Sequence, residues 1–179
     1  MNVLLAQAHE FSHIQQEYRI TMTMYLRYLM SLSLFLLLTA CVSQQDSNVD
    51  SHLANAVVFS AMNQVGAPYH YGGNSPATGF DCSGLVNYVY KKNAGISLPR
   101  SVKEIRALSV PEPSRDALQS GDVVIFATGR SRKPDHAGIY VGKNRFVHAP
   151  SSGGKVRLDK LEDAYWNKHY LTAKRPLAR

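Results

Sequence analysis

A chain of 179 residues, 45% hydrophobic and 18% charged, is long enough for one domain with a real core and is not composed like a disordered protein. Its net charge of +7 favours anionic partners, but no nucleic-acid motif accompanies the charge, so nucleic acid is not expected as a partner. Two cysteines, Cys41 and Cys82, stand in such different settings that a disulfide framework is not expected.

Residues 1–40 read as a secretion signal. Arg27 supplies a positive charge and Leu29 to Ala40 (LMSLSLFLLLTA) an apolar run. As a helix that run spans about 18 Å, short of a bilayer core of ~30 Å. Leu38-Thr39-Ala40-Cys41 resembles the bacterial lipobox, which implies cleavage before Cys41 and lipid, palmitate included, on the new terminus. Glu10 and Glu17 sit badly ahead of a signal core, so translation is expected to start at Met22 or Met24. Cleavage removes two basic and two acidic residues and leaves the net charge at +7. Residues 41–51 then form a lipidated cysteine and a polar tether (Val42 to Ser51), and residues 52–179 form a single domain without internal repeats.

Within that domain Leu53 to Met62 has helical periodicity, with Leu53, Val57 and Val58 on one stripe. Gly66 to Gly79 is a loop rich in Gly, Pro, Asn and Ser. A helix follows from Cys82 to Lys92 with Leu85, Val86 and Val89 on its apolar face and Gly95 as its stop. Ser101 opens a second helix, to Leu108, with Glu104 completing a capping box. The period then changes. Asp122 to Thr128 is a central strand, His136 to Val141 and Arg145 to Ala149 form a hairpin, and Val156 to Leu158 and Tyr170 to Lys174 are further strands. Helices followed by antiparallel strands predict an α+β fold with N-terminal helices packed on one central antiparallel sheet.

The chemistry concentrates at Cys82. Asp81 is a good N-cap, so the thiol falls in the first helical turn, where unpaired N–H groups favour a thiolate and depress the cysteine pKa. Those N–H groups could also receive an oxyanion, and Ser83 and Gly84 leave room for substrate. Two histidines on the hairpin are candidate partners, His136 and His148. They share a face only if the pairing sum is even. A three-residue loop, Gly142-Lys143-Asn144, satisfies this by pairing Val141 with Arg145 and Gly138 with His148. The histidine Cα atoms would then be roughly 7–8 Å apart. A two-residue turn at Lys143-Asn144 would put them on opposite faces. In this reading His136 is the general base, and His148 fixes its tautomer. His52 and His169 are expected in solvent. No HExxH, CxxC or carboxylate at ligand spacing points to a metal, and no cofactor is expected.

With PYHYGG (Pro68–Gly73), DCSGLV (Asp81–Val86), LPRS (Leu98–Ser101), GDVVIF (Gly121–Phe126), HAGIYVG (His136–Gly142) and FVHAP (Phe146–Pro150) in this order, the chain resembles the NlpC family of bacterial cell-wall cysteine peptidases. The resemblance implies a permuted papain-like fold, with Cys82 as nucleophile, His136 as base and His148 as the third, orienting residue. It implies that Tyr69 lines the cleft and that Asp81 and Ser83 shape the subsite for the acyl side. The implied reaction is hydrolysis of peptidoglycan stem peptides, at the γ-D-glutamyl–diamino acid bond or the D-alanyl crosslink. The region after LPRS lacks a glutamine common in the family, and no wall-binding module is present, so the resemblance leaves the scissile bond open. Val42 and Ser43, with no aspartate after the lipidated cysteine, imply an outer-membrane lipoprotein facing the periplasm of a Gram-negative bacterium, expected as a monomer. The basic loop Arg130 to Lys133 is expected to meet anionic wall peptide at the cleft rim. Thiol acyl transfer or action on lipid by a related fold, and murein binding without catalysis, are the competing readings.

Overall fold

A computed structural model describes residues 22, 24–27, 29–30 and 50–178. They fall in two units, within Met1–Gln45 and Asp46–Arg179. In the first unit the described residues are helical. No helix among the described residues is long and apolar enough to cross a membrane. The lipobox, Cys41 and most of the tether lie outside the described residues.

The second unit opens with α1 (Ser51–Met62), capped by Asp50, whose carboxylate accepts from the N–H groups of His52 and Leu53. Its inner face is Ala54, Val57 and Ala61, while Leu53 and Val58 are only half-buried. The glycine-rich segment after it carries a two-residue hairpin, β1 (Asn74–Ser75) with β2 (Gly79–Phe80). Helix α2 (Cys82–Ala94) follows and ends on left-handed Gly95 at φ 68°. Leu85, Val86 and Val89 are fully buried, as the periodicity predicts. Helix α3 (Val102–Arg106) is shorter than expected, and Ser101 both caps Glu104 N–H and donates to the Glu104 carboxylate.

Five antiparallel strands form the sheet: β3 (Val123–Phe126), β4 (His136–Gly142), β5 (Arg145–His148), β6 (Arg157–Lys160) and β7 (Tyr170–Lys174), in the spatial order β6-β5-β4-β3-β7. β3 is interior and wholly buried, as its unbroken apolar run predicts. Side-chain alternation splits the sheet into two apolar faces. Val123, Ile125, Ala137, Ile139 and Val147 pack with Val57, Leu85, Val86 and Val89 of α1 and α2. Val124, Phe126, Tyr140, Phe146 and Ala173 pack on the opposite side with Leu161 and Trp166. Trp166 belongs to α4 (Ala164–His169), a short helix the periodicity did not predict. The α+β expectation, helices on a central antiparallel sheet, holds.

The β4–β5 hairpin corrects one expectation. Gly138 pairs with His148 as predicted, but Arg145 pairs with Gly142 rather than Val141. The connection is the two-residue turn Lys143-Asn144, both residues left-handed at φ 52° and 54°. That turn alone would reverse the parity of the facing residues. A bulge between Tyr140 and Gly142 inserts the compensating residue and keeps both histidines on one face.

Candidate active site

The N-terminus of α2 is built by Asp81. Its Oδ1 accepts from the Gly84 N–H at 2.6 Å and from Ser83 Oγ at 3.1 Å. Its Oδ2 accepts from the Gly72 N–H at 2.9 Å and meets the Arg100 guanidinium at 3.2 Å. The same carboxylate thus caps the helix and fastens the glycine-rich loop to it. Gly84 makes the contact possible, because a Cβ there would lie 2.0 Å from the Gly73 carbonyl oxygen. Ser83 donates to the Arg100 carbonyl at 2.8 Å and is buried. Asp81 and Ser83, expected at a substrate subsite, therefore have their polar atoms engaged in the scaffold. Arg100 forms the structural ion pair with Asp81.

Cys82 is partly exposed, with its thiol free. The backbone N–H of Ala137, the residue after His136, faces the sulfur, as do those of Ser83 and Cys82 itself. Burial nevertheless pushes the thiol up from its ordinary value, and the Asp81 carboxylate adds to this against the pull of the three N–H groups. The depressed pKa expected from the helix terminus is therefore overturned: partial burial outweighs the field of the turn. Tyr69 is held on the same side, its N–H bonded to the Gly154 carbonyl at 2.8 Å. Burial, followed by the charges of Cys82 and Asp81, pushes its phenol up from the ordinary value.

On the sheet, His136 Nε2 and His148 Nδ1 are 2.8 Å apart. His148 is fully buried, and its Nε2 lies 3.0 Å from Asp159 Oδ2. That oxygen also accepts from Trp166 Nε1 at 2.8 Å and from Arg157 Nε at 3.0 Å. Asp159 is only partly buried, which pushes it up, but the bonds from His148, Trp166 and Arg157 win and hold it well below the usual carboxylate range. The carboxylate is anionic, so His148 must donate to it from Nε2. Neutral His148 then accepts at Nδ1, and His136 donates from Nε2. The Nδ1 of His136 is left as a free lone pair. Burial, and then His148, pushes His136 down to about 3, so it is neutral near neutrality. Burial also lowers His148, against the opposing effect of Asp159. Thiol and imidazole thus both rest uncharged.

Trp166 stacks on His136 at 5.4 Å between centroids and 24° between planes, and meets His148 edge-on at 4.7 Å. Gly138 clears the space beneath: a Cβ there would lie 2.7 Å from Phe146 Cδ2 and 3.1 Å from His148 Cβ. Beside this pair a cleft of about 250 Å³ is lined by Thr128, His136, Pro150, Arg157, Tyr165 and Trp166, among others. Among the described residues no group of three His, Cys, Asp or Glu side chains could hold a metal ion. His52 is exposed as expected, but His169 is half-buried, its Nδ1 2.7 Å from the Tyr165 carbonyl oxygen.

The residues missed by sequence reading are Asp159 and Trp166. Both were accessible in principle: Asp159 is the acid on the strand following the FVH segment, and Trp166 is the only tryptophan of the chain.

Residues 66–175 match the NlpC/P60 family. Over 115 residues the chain is 44% identical to the murein DD-endopeptidase MepH of Escherichia coli strain K12, covering 64% of this chain and 42% of that protein. Over 156 residues it is 32% identical to the probable endopeptidase NlpC of the same strain, covering 84% of this chain and 99% of that one. A solved NlpC/P60 family protein from Bacillus cereus ATCC 10987 superposes with a TM-score of 0.64 at 29% identity, over 69% of this chain and 40% of that one. The chain therefore spans less than half the length of the first and third of these proteins. A match across more than half the chain, and a relative aligned along almost its whole length, make this chain a member of the NlpC/P60 family.

Proposed function

We propose that the protein is a cysteine endopeptidase that hydrolyses amide bonds in peptidoglycan stem peptides, the D-alanyl crosslink first, as the name of its relative MepH suggests. The observation that carries the proposal is the polar chain His136–His148–Asp159, which leaves one imidazole lone pair on His136, together with a free thiol at a helix N-terminus that faces the backbone N–H of the next residue, Ala137.

The reaction follows from that arrangement. As Sγ of Cys82 adds to the carbonyl carbon, its proton passes to Nδ1 of His136. The oxyanion is received by backbone N–H groups of the first turn of α2. The imidazolium formed at His136 is stabilised through His148 by the Asp159 carboxylate. The C–N bond breaks as Nδ1 returns its proton to the leaving amine, giving a thioester. Water adds to the thioester with His136 taking its proton. The C–S bond then breaks, the sulfur regains a proton, and a carboxylic acid product leaves.

The proposal extends to the address of the protein. Cys41, freed by cleavage after Ala40, carries lipid and tethers the domain to the outer membrane on its periplasmic side; the support is the Leu38–Cys41 motif. Mass spectrometry of the mature N-terminus and fractionation of Cys41→Ser test this part. For the enzyme, crosslinked muropeptides are digested with the parent chain and with Cys82→Ala, and products are identified by mass. Two monomers, one stem ending in a D-alanine carboxylate and the other with its diamino-acid amine freed, are expected from the parent alone. Cleavage between γ-D-glutamate and the diamino acid would reassign the scissile bond. No cleavage by the parent, or equal cleavage by Cys82→Ala, defeats the peptidase reading.

A further inference from the structure

Beyond the cleft at His136 lies a second cavity, of about 370 Å³. Ala127, Gly129, Arg130 and Arg132 form one wall, and Lys168 to Leu171 the other. The two spaces adjoin. Thr128, in the cleft, stands between Ala127 and Gly129 of the cavity. Tyr165, in the cleft, is in ring contact with His169 of the cavity at 4.4 Å between centroids. Lys133 of the same loop does not line the cavity.

The loop that bears the arginines is pinned. The Asp135 N–H bonds the Phe126 carbonyl at 3.1 Å, directly before His136. The Asp135 carboxylate accepts from the Thr128 N–H at 2.7 Å, from Thr128 Oγ1 at 3.0 Å and from the Gly129 N–H at 2.7 Å. The one acid of this loop is thus occupied with its backbone. Four other cations of the domain are ion-paired: Arg100 with Asp81, Arg157 with Asp159, Lys174 with Glu112 and Arg175 with Asp122. Arg130, Arg132 and Lys168 have no ion-pair partner among the described residues, although they converge on one concavity.

Which part of a substrate reaches this cavity follows from the proton path, and so rests on the proposed peptidase reading. His136 returns its proton to the leaving nitrogen, so the amine-side fragment starts at His136, and Thr128 and Tyr165 of the same cleft mark a way from there to the cavity. Two guanidinium groups and an ammonium around a concave space match a carboxylate, which arginine can hold through two parallel hydrogen bonds. We propose that the cavity between residues 129–132 and the end of α4 is a subsite in which Arg130, Arg132 and Lys168 bind a carboxylate of the amine-side fragment. The site selects among scissile bonds by the charge of the residue that leaves.

The test uses two synthetic stem-peptide substrates, identical except that the amine-side residue bears a free carboxylate or a carboxamide. The parent chain is expected to favour the carboxylate by about tenfold in kcat/KM, through KM, and to lose that preference as salt rises. The combined substitution Arg130→Ala, Arg132→Ala and Lys168→Ala should abolish the preference while cleaving the carboxamide like the parent. Equal cleavage of both peptides by the parent overturns the subsite, as does an equal loss on both in the variant. If the parent cleaves neither peptide, the peptidase reading fails. Calorimetric binding of the two amine-side fragments alone, to Cys82→Ala with and without the three substitutions, then decides the subsite. Binding of the carboxylate fragment that weakens tenfold or more with the substitutions sustains it; no discrimination overturns it.

Discussion

Asp159 Oδ2 lies 3.0 Å from Nε2 of His148, and this contact sets the proton positions of the whole site. β5 and β6 pair Phe146 with Asp159 and His148 with Arg157, so the carboxylate stands diagonal to the imidazole on the same face. An anion at that nitrogen can only accept. Every donor from there to His136 is then fixed in one direction.

Asp159→Asn tests that direction. An amide nitrogen can turn to donate to His148, which would shift the His148 proton to Nδ1 and force the His136 proton to the nitrogen that must be free. The expected result is a folded protein with kcat/KM reduced by at least about 100-fold, in keeping with a triad whose orienting acid is lost. Kinetics on a crosslinked muropeptide, with circular dichroism as the fold control, check it; near-parental activity would refute the assigned tautomers.

Burial of His136 makes stability depend on pH. Its folded pKa, about 3, lies below its ordinary value near 6.5, so the unfolded chain binds the extra proton in between. The stabilisation is present above pH 6.5 and is lost as pH falls toward 3. The shift corresponds to about 2 kcal/mol of stability lost between pH 6.5 and pH 5. His148 is shifted in the same direction and adds to the effect. Urea midpoints followed by Trp166 emission, the sole tryptophan signal, should fall across this window. A flatter profile is expected for His136→Gln, and a wild-type midpoint unchanged from pH 7 to 5 would contradict the buried neutral pair.

The raised thiol of Cys82 predicts its reactivity. Alkylation by iodoacetamide should accelerate steadily with pH through 8 and beyond, approaching tenfold per unit, because the thiolate remains the minor form. A rate that levels off below pH 7 would mean that a stable thiolate–imidazolium pair exists after all.

Gly138→Ala probes the floor of the site. The added methyl meets Phe146 Cδ2 at 2.7 Å and the Val147 carbonyl oxygen at 2.9 Å, so the hairpin must shift. A loss of roughly 1–3 kcal/mol in urea unfolding is expected, with a larger fractional loss of activity as His148 is displaced. Unchanged stability and turnover would show that the pairing has slack.

Much of this protein is written locally. The cap at Asp81, the apolar face of α2, the buried run of β3 and the shared face of His136 and His148 each depend on residues close in the chain, or on a period of two or 3.6. The hairpin shows where such reasoning thins. The pairing parity was legible, but it is achieved by a two-residue turn plus a bulge, two local geometries whose effects on register cancel.

What the sequence determined by itself was therefore the fold class, the thiol at a helix N-terminus and the two histidines on one strand pair, since these follow from short-range backbone preferences. Only the tertiary structure decided that Asp159 and Trp166 complete the site, because β6 and α4 reach it by packing across the sheet. It also decided the resting charge: how much water the fold removes from Cys82 and His136 outweighs the local field of the helix turn.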